Sequence, residues 1–169
     1  MSDDFVFTSE SMTAGHPDKL CDQVSDAIVD HYLSRDPNAR IVAESVVASG
    51  VMFISTHFAS RETLDIADIA RRVVRDIGYP KDVFDADACT IMTSFTDHTA
   101  TDYLAVDYDK IDDEYSDRLA SKHQVTVFGY ACDQTPDLMP LPIWLAHRLA
   151  HRLDAGKVKK KLPYLLPDV

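Results

Sequence analysis

Residues 40–58 constrain the possible folds most strongly, because two apolar stretches, RIVAESVVA and VMFISTHF, flank the turn residues Ser49-Gly50. Runs rich in Val, Ile and Phe on either side of a two-residue turn predict an antiparallel β-hairpin. Both strands are apolar on both sides, as in strands whose two faces are covered. With few helices to cover it, we expect the sheet face of this hairpin to lie in an interface with another subunit.

Two helices are predicted on either side of the hairpin. From Asp18 to Arg35 apolar residues recur at helical spacing, and Pro17 suits the first turn because its missing N–H removes no hydrogen bond there. A second helix is capped by Asp65 and ends at Gly78. The apolar stripes consist of Leu20, Val24, Ala27, Ile28 and Tyr32 in the first helix and Ile66, Ile69, Ala70, Val73, Val74 and Ile77 in the second.

The rest of the chain has weaker patterns. Residues 88–95 and 124–132 predict strands, and residues 140–153 predict a helix. Residues 97–118 contain eight acidic and two basic residues, which predicts an exposed acidic loop. The tail, 154–169, is expected to pack on a partner. Strand pairs followed by helices predict an α+β fold, with antiparallel sheets and helices on one face.

Composition excludes several classes of protein. With 46% hydrophobic and 27% charged residues, the 169-residue chain is typical of a globular protein rather than a disordered or fibrous one. A net charge of −11 would repel a polyphosphate backbone, so nucleic acid is not expected as a partner. Three widely spaced cysteines indicate reduced thiols rather than a disulfide framework. No apolar run approaches the roughly 20 residues of a membrane span, and we expect a cytoplasmic protein.

The segment Gly15-His16-Pro17-Asp18-Lys19 stands immediately before the first predicted helix. Backbone N–H groups at a helix start bind anionic oxygens, a carboxylate binds a hard cation, and imidazole or lysine meets the remaining negative charge. The segment could therefore hold a magnesium polyphosphate. Pro17 and Asp18 could equally serve only to begin the helix, and the residues alone leave both alternatives open.

Residues 7–27, F-T-S-E-S-x-x-x-G-H-P-D-K-x-x-D-Q-x-S-D-A, resemble the opening of S-adenosylmethionine synthetases, also called methionine adenosyltransferases. The resemblance continues through short segments in the family's order, among them Asp36-Pro37-x-Ala39-Arg40, Phe128-Gly129-Tyr130-Ala131 and Leu162-Pro163-Tyr164-Leu165. It spans the whole chain but reaches only the N-terminal and central part of the family's three-domain architecture. In that family methionine sulfur attacks C5′ of ATP, and the triphosphate that leaves is then hydrolysed.

The resemblance implies roles for individual residues. It implies that His16 is catalytic and steadies the departing triphosphate, and that Asp18 binds Mg²⁺. Glu44 resembles the carboxylate of the family's K⁺ site, although a solvent-facing strand acid is the alternative there. The residues implied in ATP and triphosphate binding are His16, Pro17, Lys19 and Asp168.

The chain departs from the family where methionine binds. Ser55-Thr56-His57 stands in place of the Gly-Gly-Glu whose Glu binds the methionine amino group, His98 replaces a Gln, and Lys122-His123-Gln124-Val125 replaces Gly-Asp-Gln-Gly. His57, His98 and His123 therefore occupy methionine-side positions and are not expected to bind methionine. A new metal site built from these histidines is a less favoured alternative, because a shared residue type without short-range spacing is weak evidence.

The resemblance implies a transferase of one-carbon metabolism that works only in a complex. The expected role is the short subunit of a heteromeric synthetase, inactive alone, whose partner is a second synthetase-like subunit. The substrates would be ATP and methionine, the cofactors Mg²⁺ and, with less support, K⁺. A non-catalytic paralogue that regulates or stabilises a full-length synthetase is the alternative. A shortened piece of a longer synthetase is a third possibility, but shortening would not explain the methionine-side substitutions.

Overall fold

The computed structural model describes residues 6–98, 111–118, 124–158 and 162–168. Within these ranges the chain forms four helices and three strands, and the α+β class is confirmed. In chain order the elements are α1 (Pro17–Leu33), β1 (Arg40–Ala48), β2 (Val51–Ala59), α2 (Ile66–Ile77), β3 (Thr90–Asp97), α3 (Asp113–Ser116) and α4 (Leu141–Val158).

The predicted hairpin is confirmed. β1 and β2 pair antiparallel from Arg40↔Ala59 to Ala48↔Val51. Both turn residues, Ser49 and Gly50, have positive φ, at 47° and 79°. A two-residue turn with φ above zero at both positions matches the right-handed twist of the strands that it joins, which explains why Gly is favoured there.

The third strand shows that the sheet is mixed rather than purely antiparallel. The strand order is β1-β2-β3, and β3 pairs parallel with β2, from Val51↔Thr90 to Phe58↔Asp97. Two strands that pair in parallel begin at the same end of the sheet, so the chain between them must be long enough to cross back to that end. Residues 60–89, which contain α2, supply that crossover. The Asp65 cap, whose carboxylate accepts from the Asp68 N–H at 2.9 Å, and the left-handed Gly78 delimit α2 as predicted.

The core lies on one face of the sheet, under α1 and α2. The side chains of β2 that point to this side, Met52, Ile54 and Thr56, are almost fully buried, as is most of the apolar stripe of each helix. The expectation of helices on one face is confirmed for α1 and α2. The buried cluster consists of Leu20, Val24, Ile28, Tyr32, Met52, Ile54, Leu64, Ile66, Ile69, Ala70, Val74, Phe84, Ala86 and Cys89.

The opposite face of the sheet is exposed and carries an apolar row near the turn of the hairpin. Val46, Phe53 and Met92 pair in one row across the three strands, and their exposed fractions are 63%, 43% and 54%. Monomeric proteins rarely expose contiguous apolar patches of this kind without an interaction that covers them. This is the surface that the sequence predicted to lie in an interface.

The prediction of a strand at 124–132 is wrong. These residues have no regular secondary structure, and Val125, Val127 and Phe128 are close to 90% exposed. A strand requires a hydrogen-bonded neighbour, and none of the described strands pairs with this segment. Its β-forming residues therefore have no strand partner among the described residues.

The remaining predictions concern the acidic loop, the last helix, the cysteines and membrane spans. Of the expected acidic loop, 97–118, residues 99–110 lie outside them, whereas 111–118 are largely exposed and contain the single turn α3. The helix predicted at 140–153 forms and extends to Val158. Cys21, Cys89 and Cys132 are free thiols, as expected. Among the described residues, no helix is long and apolar enough to cross a membrane.

The tail returns to the start of α1. The carbonyl oxygen of Pro167 accepts hydrogen bonds from Thr13 Oγ1 at 2.8 Å and from the Gly15 N–H at 3.0 Å. Pro167 and Thr13 are buried, whereas Tyr164 is 76% exposed. Part of the tail thus packs on its own chain, and packing of the remainder on a partner stays a prediction.

Gly15 should tolerate no side chain. A Cβ at Gly15 would overlap the Cβ, carbonyl carbon and carbonyl oxygen of Pro167, whereas a Cβ at Gly129 meets no atom within 4 Å. Gly15→Ala should therefore lower the free energy of unfolding by about 1–3 kcal/mol, the usual cost of overpacking. Gly129→Ala, the matched control, should leave it nearly unchanged. Urea unfolding of the two variants provides the test, and equal midpoints would contradict the close contact.

Candidate functional site

His16 closes the N-terminal end of α1. Its backbone is extended, with φ −60° and ψ 139°, and its ring Nδ1 accepts a hydrogen bond from the Asp18 N–H at 3.2 Å. An N-cap side chain that satisfies one of the unpaired helix N–H groups stabilises the helix start. Since Nδ1 is the acceptor, a neutral ring carries its proton on Nε2, and His16 can donate from Nε2 to an anion.

The first turn of α1 combines positive and negative groups. Pro17 is the first helical residue, and Asp18 lies in the same turn, with its side chain 77% exposed and one carboxylate oxygen 3.8 Å from His16 Nδ1. The 17-residue helix directs the positive end of its dipole here. Mg²⁺ often binds proteins through one or two carboxylates, with waters and substrate phosphates as its other ligands. Asp18 fits that pattern.

Lys19 makes two contacts with later residues of α1, one through its ammonium group and one through its backbone carbonyl. Its ammonium lies 3.5 Å from the Asp22 carboxylate, and both side chains are about half exposed or more. Its backbone carbonyl accepts from Gln23 Nε2 at 2.9 Å, and the same amide donates to the Ala14 carbonyl at 2.7 Å. Gln23 therefore ties the approach loop to the first turn. Its position, four residues after Lys19 on the same helix face, is the sequence feature that could have identified it.

Two further residues that the sequence did not identify hold the loop before His16. The Tyr79 hydroxyl donates to the Gly15 carbonyl, and the Asp154 carboxylate accepts from the Ala14 N–H at 3.2 Å. Burial first, and the Asp168 carboxylate second, raise the pKa of Tyr79 to about 12. Asp168 therefore lies close enough to interact with this bracing tyrosine. Neither contact has a sequence pattern, because each joins segments more than 60 residues apart.

A cavity of about 770 Å³ lies beside the start of α1, between the N-terminal segment, β1 and α4. Lys19 and Glu44 both line it, together with His147, whose Nδ1 lies 2.8 Å from Ser11 Oγ. Acids also line it: Asp22, Asp26 and Asp154. His16 and Asp18 are adjacent to Lys19 in the chain but do not line the cavity. Lys19 and Glu44 thus lie beside the same cavity. His16 and Asp18 lie together at the start of α1, and Asp168 lies near Tyr79.

Two of the three methionine-side histidines come together. The rings of His57 and His98 stack with centroids 6.0 Å apart and planes inclined by 13°. His123 lies outside the described residues. Within the described part of the chain, no group of three or more His, Cys, Asp or Glu side chains is arranged to hold a metal ion. The metal alternative therefore has no support from the described histidines.

Comparison with known families covers both halves of the chain. The model of the "S-adenosylmethionine synthetase, N-terminal domain" family matches residues 4–100, and that of the "S-adenosylmethionine synthetase, central domain" family matches residues 118–169.

Curated relatives give the same result over nearly the full chain. S-adenosylmethionine synthase of Prochlorococcus marinus (strain CCMP1986 / NIES-2087 / MED4) is 43% identical over 169 residues, covering 98% of this chain and 41% of the relative. The synthase of Desulforudis audaxviator is 46% identical over 170 residues, covering 96% and 43%. That of Parasynechococcus marenigrum is 45% identical over 170 residues, covering 97% and 40%. The chain thus spans about two fifths of the length of these relatives.

Stability should fall at high pH because of Tyr79. A tyrosine in an unfolded chain ionises near pH 10, whereas folding raises the pKa of Tyr79 to about 12. Between these values the unfolded chain releases a proton that the folded chain keeps, so the free energy of unfolding decreases as the pH rises above 10. Tyr79→Phe should be less stable at pH 8, where it lacks the hydrogen bond to Gly15, and should lose stability less steeply from pH 10 to 11.

Urea unfolding at pH 8, 10 and 11 measures this slope. The matched control is Tyr130→Phe, because Tyr130 is 76% exposed and its replacement should leave the slope as it is in the unaltered protein. A Tyr79→Phe variant that loses stability as steeply as the unaltered protein would contradict the assignment.

Proposed function

The chain belongs to the S-adenosylmethionine synthetase family, and on that premise we propose that it is the short subunit of a heteromeric synthetase. The complex would form S-adenosylmethionine from ATP and methionine in a site at the subunit interface. This chain would contribute the side of the site that binds the triphosphate and Mg²⁺. A second synthetase-like subunit would contribute the methionine side, and this chain alone would be inactive.

The arrangement of His16 is the observation that carries the proposal. Its Nδ1 is occupied by the Asp18 N–H, so Nε2 bears the proton of the neutral ring and can donate to the oxygen on which charge develops as triphosphate leaves. Donors fixed in advance where charge develops are among the largest contributions to catalysis. The loop that presents the ring is braced at Ala14 by Asp154 and Gln23 and at Gly15 by Tyr79 and Pro167.

The remaining first-turn groups suit a magnesium-bound triphosphate. Asp18 would hold Mg²⁺, which neutralises phosphate charge when bound, while the helix N–H groups and the Lys19 ammonium would meet phosphate oxygens. Glu44, on the strand beside the same cavity as Lys19, would be the K⁺ ligand. The exposed carboxylate of Asp18 leaves space for the water ligands that Mg²⁺ retains.

The opposite side of the chain supports the need for a partner. His57 stands where the family's pattern has a carboxylate, and an imidazole cannot accept the same charge-assisted hydrogen bond from an ammonium group. Loss of one such bond costs on the order of 1.5–3 kcal/mol. A methionine site formed by these residues would be weak, so a functional site requires the methionine side of another subunit.

The exposed face of the sheet would be the surface that the partner covers. The row of Val46, Phe53 and Met92 is apolar and exposed, as expected of a face that packs against an obligate partner. Sedimentation at micromolar concentration would test this. A chain that remains a monomer, even in the presence of the second subunit, would contradict it.

Variants of His16 separate its structural role from its catalytic role. His16→Asn keeps an N-cap acceptor but not the Nε2 donor, whereas His16→Ala loses both. In the complex with the second subunit, both variants should lower kcat by about 10²–10³-fold, the usual cost of losing one donor to a developing anion. Only His16→Ala should also be destabilised, by about 1 kcal/mol. Asp18→Asn should raise the Mg²⁺ concentration required for activity.

The measurement is S-adenosylmethionine formation by the co-expressed complex, with urea unfolding of each variant chain. A complex that keeps full activity with His16→Asn would exclude the catalytic role. If the partner alone turned over at the rate of the complex and gained only thermal stability from this chain, the regulatory alternative would be correct.

A further inference from the structure

Helix α4 carries two histidines one helical turn apart. His151 follows His147 by four residues, and both line the cavity of about 770 Å³ between the N-terminal segment, β1 and α4. Residues at this spacing lie one above the other on the same face of a helix, with Cβ atoms about 5–6 Å apart. Ala150, which is buried, lines the cavity between them. Two imidazoles therefore face one space.

A hydrogen bond fixes the His147 ring. Its Nδ1 lies 2.8 Å from Ser11 Oγ, and two turns later the Asp154 carboxylate accepts a hydrogen bond from the Ala14 N–H at 3.2 Å. These two contacts attach α4 to the segment that precedes His16. When Nδ1 carries the ring proton it donates to Ser11, and Nε2 then presents a lone pair. Histidines that bind metals almost always donate from their second ring nitrogen in this way, which sets the tautomer and the ring orientation.

The coordinating nitrogens are accessible. Both histidines are exposed, and within the described ranges neither Nε2 of His147 nor the ring of His151 has a hydrogen-bond or ion-pair partner. An ion could therefore reach both rings without displacing another side chain.

The charge around the pair favours a cation. Lys19 is the one ammonium group among the described residues that line the cavity, and it lies 3.5 Å from the Asp22 carboxylate. Three further carboxylates line the same space, those of Asp26, Glu44 and Asp154, so the balance is negative. Carboxylates attract any cation, but imidazole nitrogens select Zn²⁺, Ni²⁺ and Cu²⁺ over Mg²⁺ and Ca²⁺.

The described residues supply two ligands rather than a closed set. Within them, no group of three or more His, Cys, Asp or Glu side chains is arranged to hold a metal ion. Cys21 also lines the cavity, but burial raises the pKa of its thiol, and a protonated thiol is not a metal ligand. Water would therefore complete the coordination, as at metal sites that keep open positions.

We propose that His147 and His151 bind a divalent ion of the late first-row transition metals, such as Zn²⁺. Nε2 of His147 and one imidazole nitrogen of His151 are the protein ligands. The ion links two turns of α4 and, through Ser11, fixes the N-terminal segment against the helix. This site differs in place and in ligand type from the Mg²⁺ site proposed at Asp18, and it does not depend on a role in a heteromeric synthetase.

The test is calorimetric titration of the full chain with Zn²⁺ at about pH 7.5, where an ordinary imidazole is mostly neutral. One Zn²⁺ should bind per chain, Ni²⁺ should compete for the site, and an equal concentration of Mg²⁺ should not. By NMR, Zn²⁺ should shift the C2–H resonances of His147 and His151. It should not shift those of His57 and His98, which form the other close pair of histidines.

Substitutions assign the binding to individual groups. His147→Gln and His151→Gln should each abolish binding at Zn²⁺ concentrations that saturate the unaltered chain. Ser11→Ala, which removes the partner of Nδ1, should weaken binding about tenfold. His57→Gln should bind as the unaltered chain does. The matched control for spacing combines His151→Gln with Arg152→His, which keeps the number of histidines but moves the second imidazole off the shared face, and it should not bind.

Three results would overturn the proposal. The first is a Zn²⁺ affinity that His147→Gln or His151→Gln leaves unchanged, and the second is full binding by the spacing control. The third is displacement of Zn²⁺ by an equal concentration of Mg²⁺, which would assign the ion to the carboxylates. Equal affinities of Ser11→Ala and the unaltered chain would contradict Nε2 as the ligand atom of His147.

Discussion

The candidate site depends on the carbonyl group of Pro167, which accepts hydrogen bonds from both Thr13 and Gly15. These bonds join residues more than 150 positions apart and fix the loop immediately before His16. The Gly15 backbone can approach Pro167 only because Gly15 has no Cβ. The Tyr79 hydroxyl also donates a hydrogen bond to the Gly15 carbonyl. The positions of His16 and of the first turn of α1 follow from these contacts.

The proposed binding of a polyphosphate at this end of α1 has an electrostatic basis, even though the protein is acidic. The helix dipole and unpaired N–H groups provide positive potential without a cluster of basic side chains. His16 uses one ring nitrogen for the helix cap and keeps the other as a donor. The acids around the neighbouring cavity, among them Asp22, Asp26 and Asp154, would repel an unscreened triphosphate. A divalent cation bound at Asp18 and basic residues from a second subunit would offset this repulsion.

The sequence predicted those features that short-range patterns specify. The Asp65 cap, the Gly78 stop and the Ser49-Gly50 turn each act within a few residues, and all three appear as expected. The direction of β3 could not be predicted, because a long crossover containing a helix permits parallel pairing as well as antiparallel pairing. Residues 124–132 have the composition of a strand, but composition does not specify a hydrogen-bonding neighbour. The contrast shows that pairing, unlike turn formation, depends on long-range contacts.

The same distinction applies to the site. The chemical types in Gly15–Lys19 suggested a phosphate-binding helix start, and the structure supplies the reason that His16 can act as both cap and donor. The contacts of Tyr79, Asp154 and Pro167 with this loop have no periodicity, so no local pattern could indicate them. The stacked pair of His57 and His98 was visible in the sequence only as two separate departures from a family pattern. Their proximity results from the parallel pairing of β2 and β3.

We propose that this chain supplies a working triphosphate side and no working methionine side. Equilibrium titration of the purified heteromer with a non-hydrolysable ATP analogue, in the presence of methionine, would count its binding sites. We expect one ternary site per heterodimer, formed by His16 and Asp18 of this chain and the methionine side of the second subunit. Two equivalent ternary sites per heterodimer would contradict it.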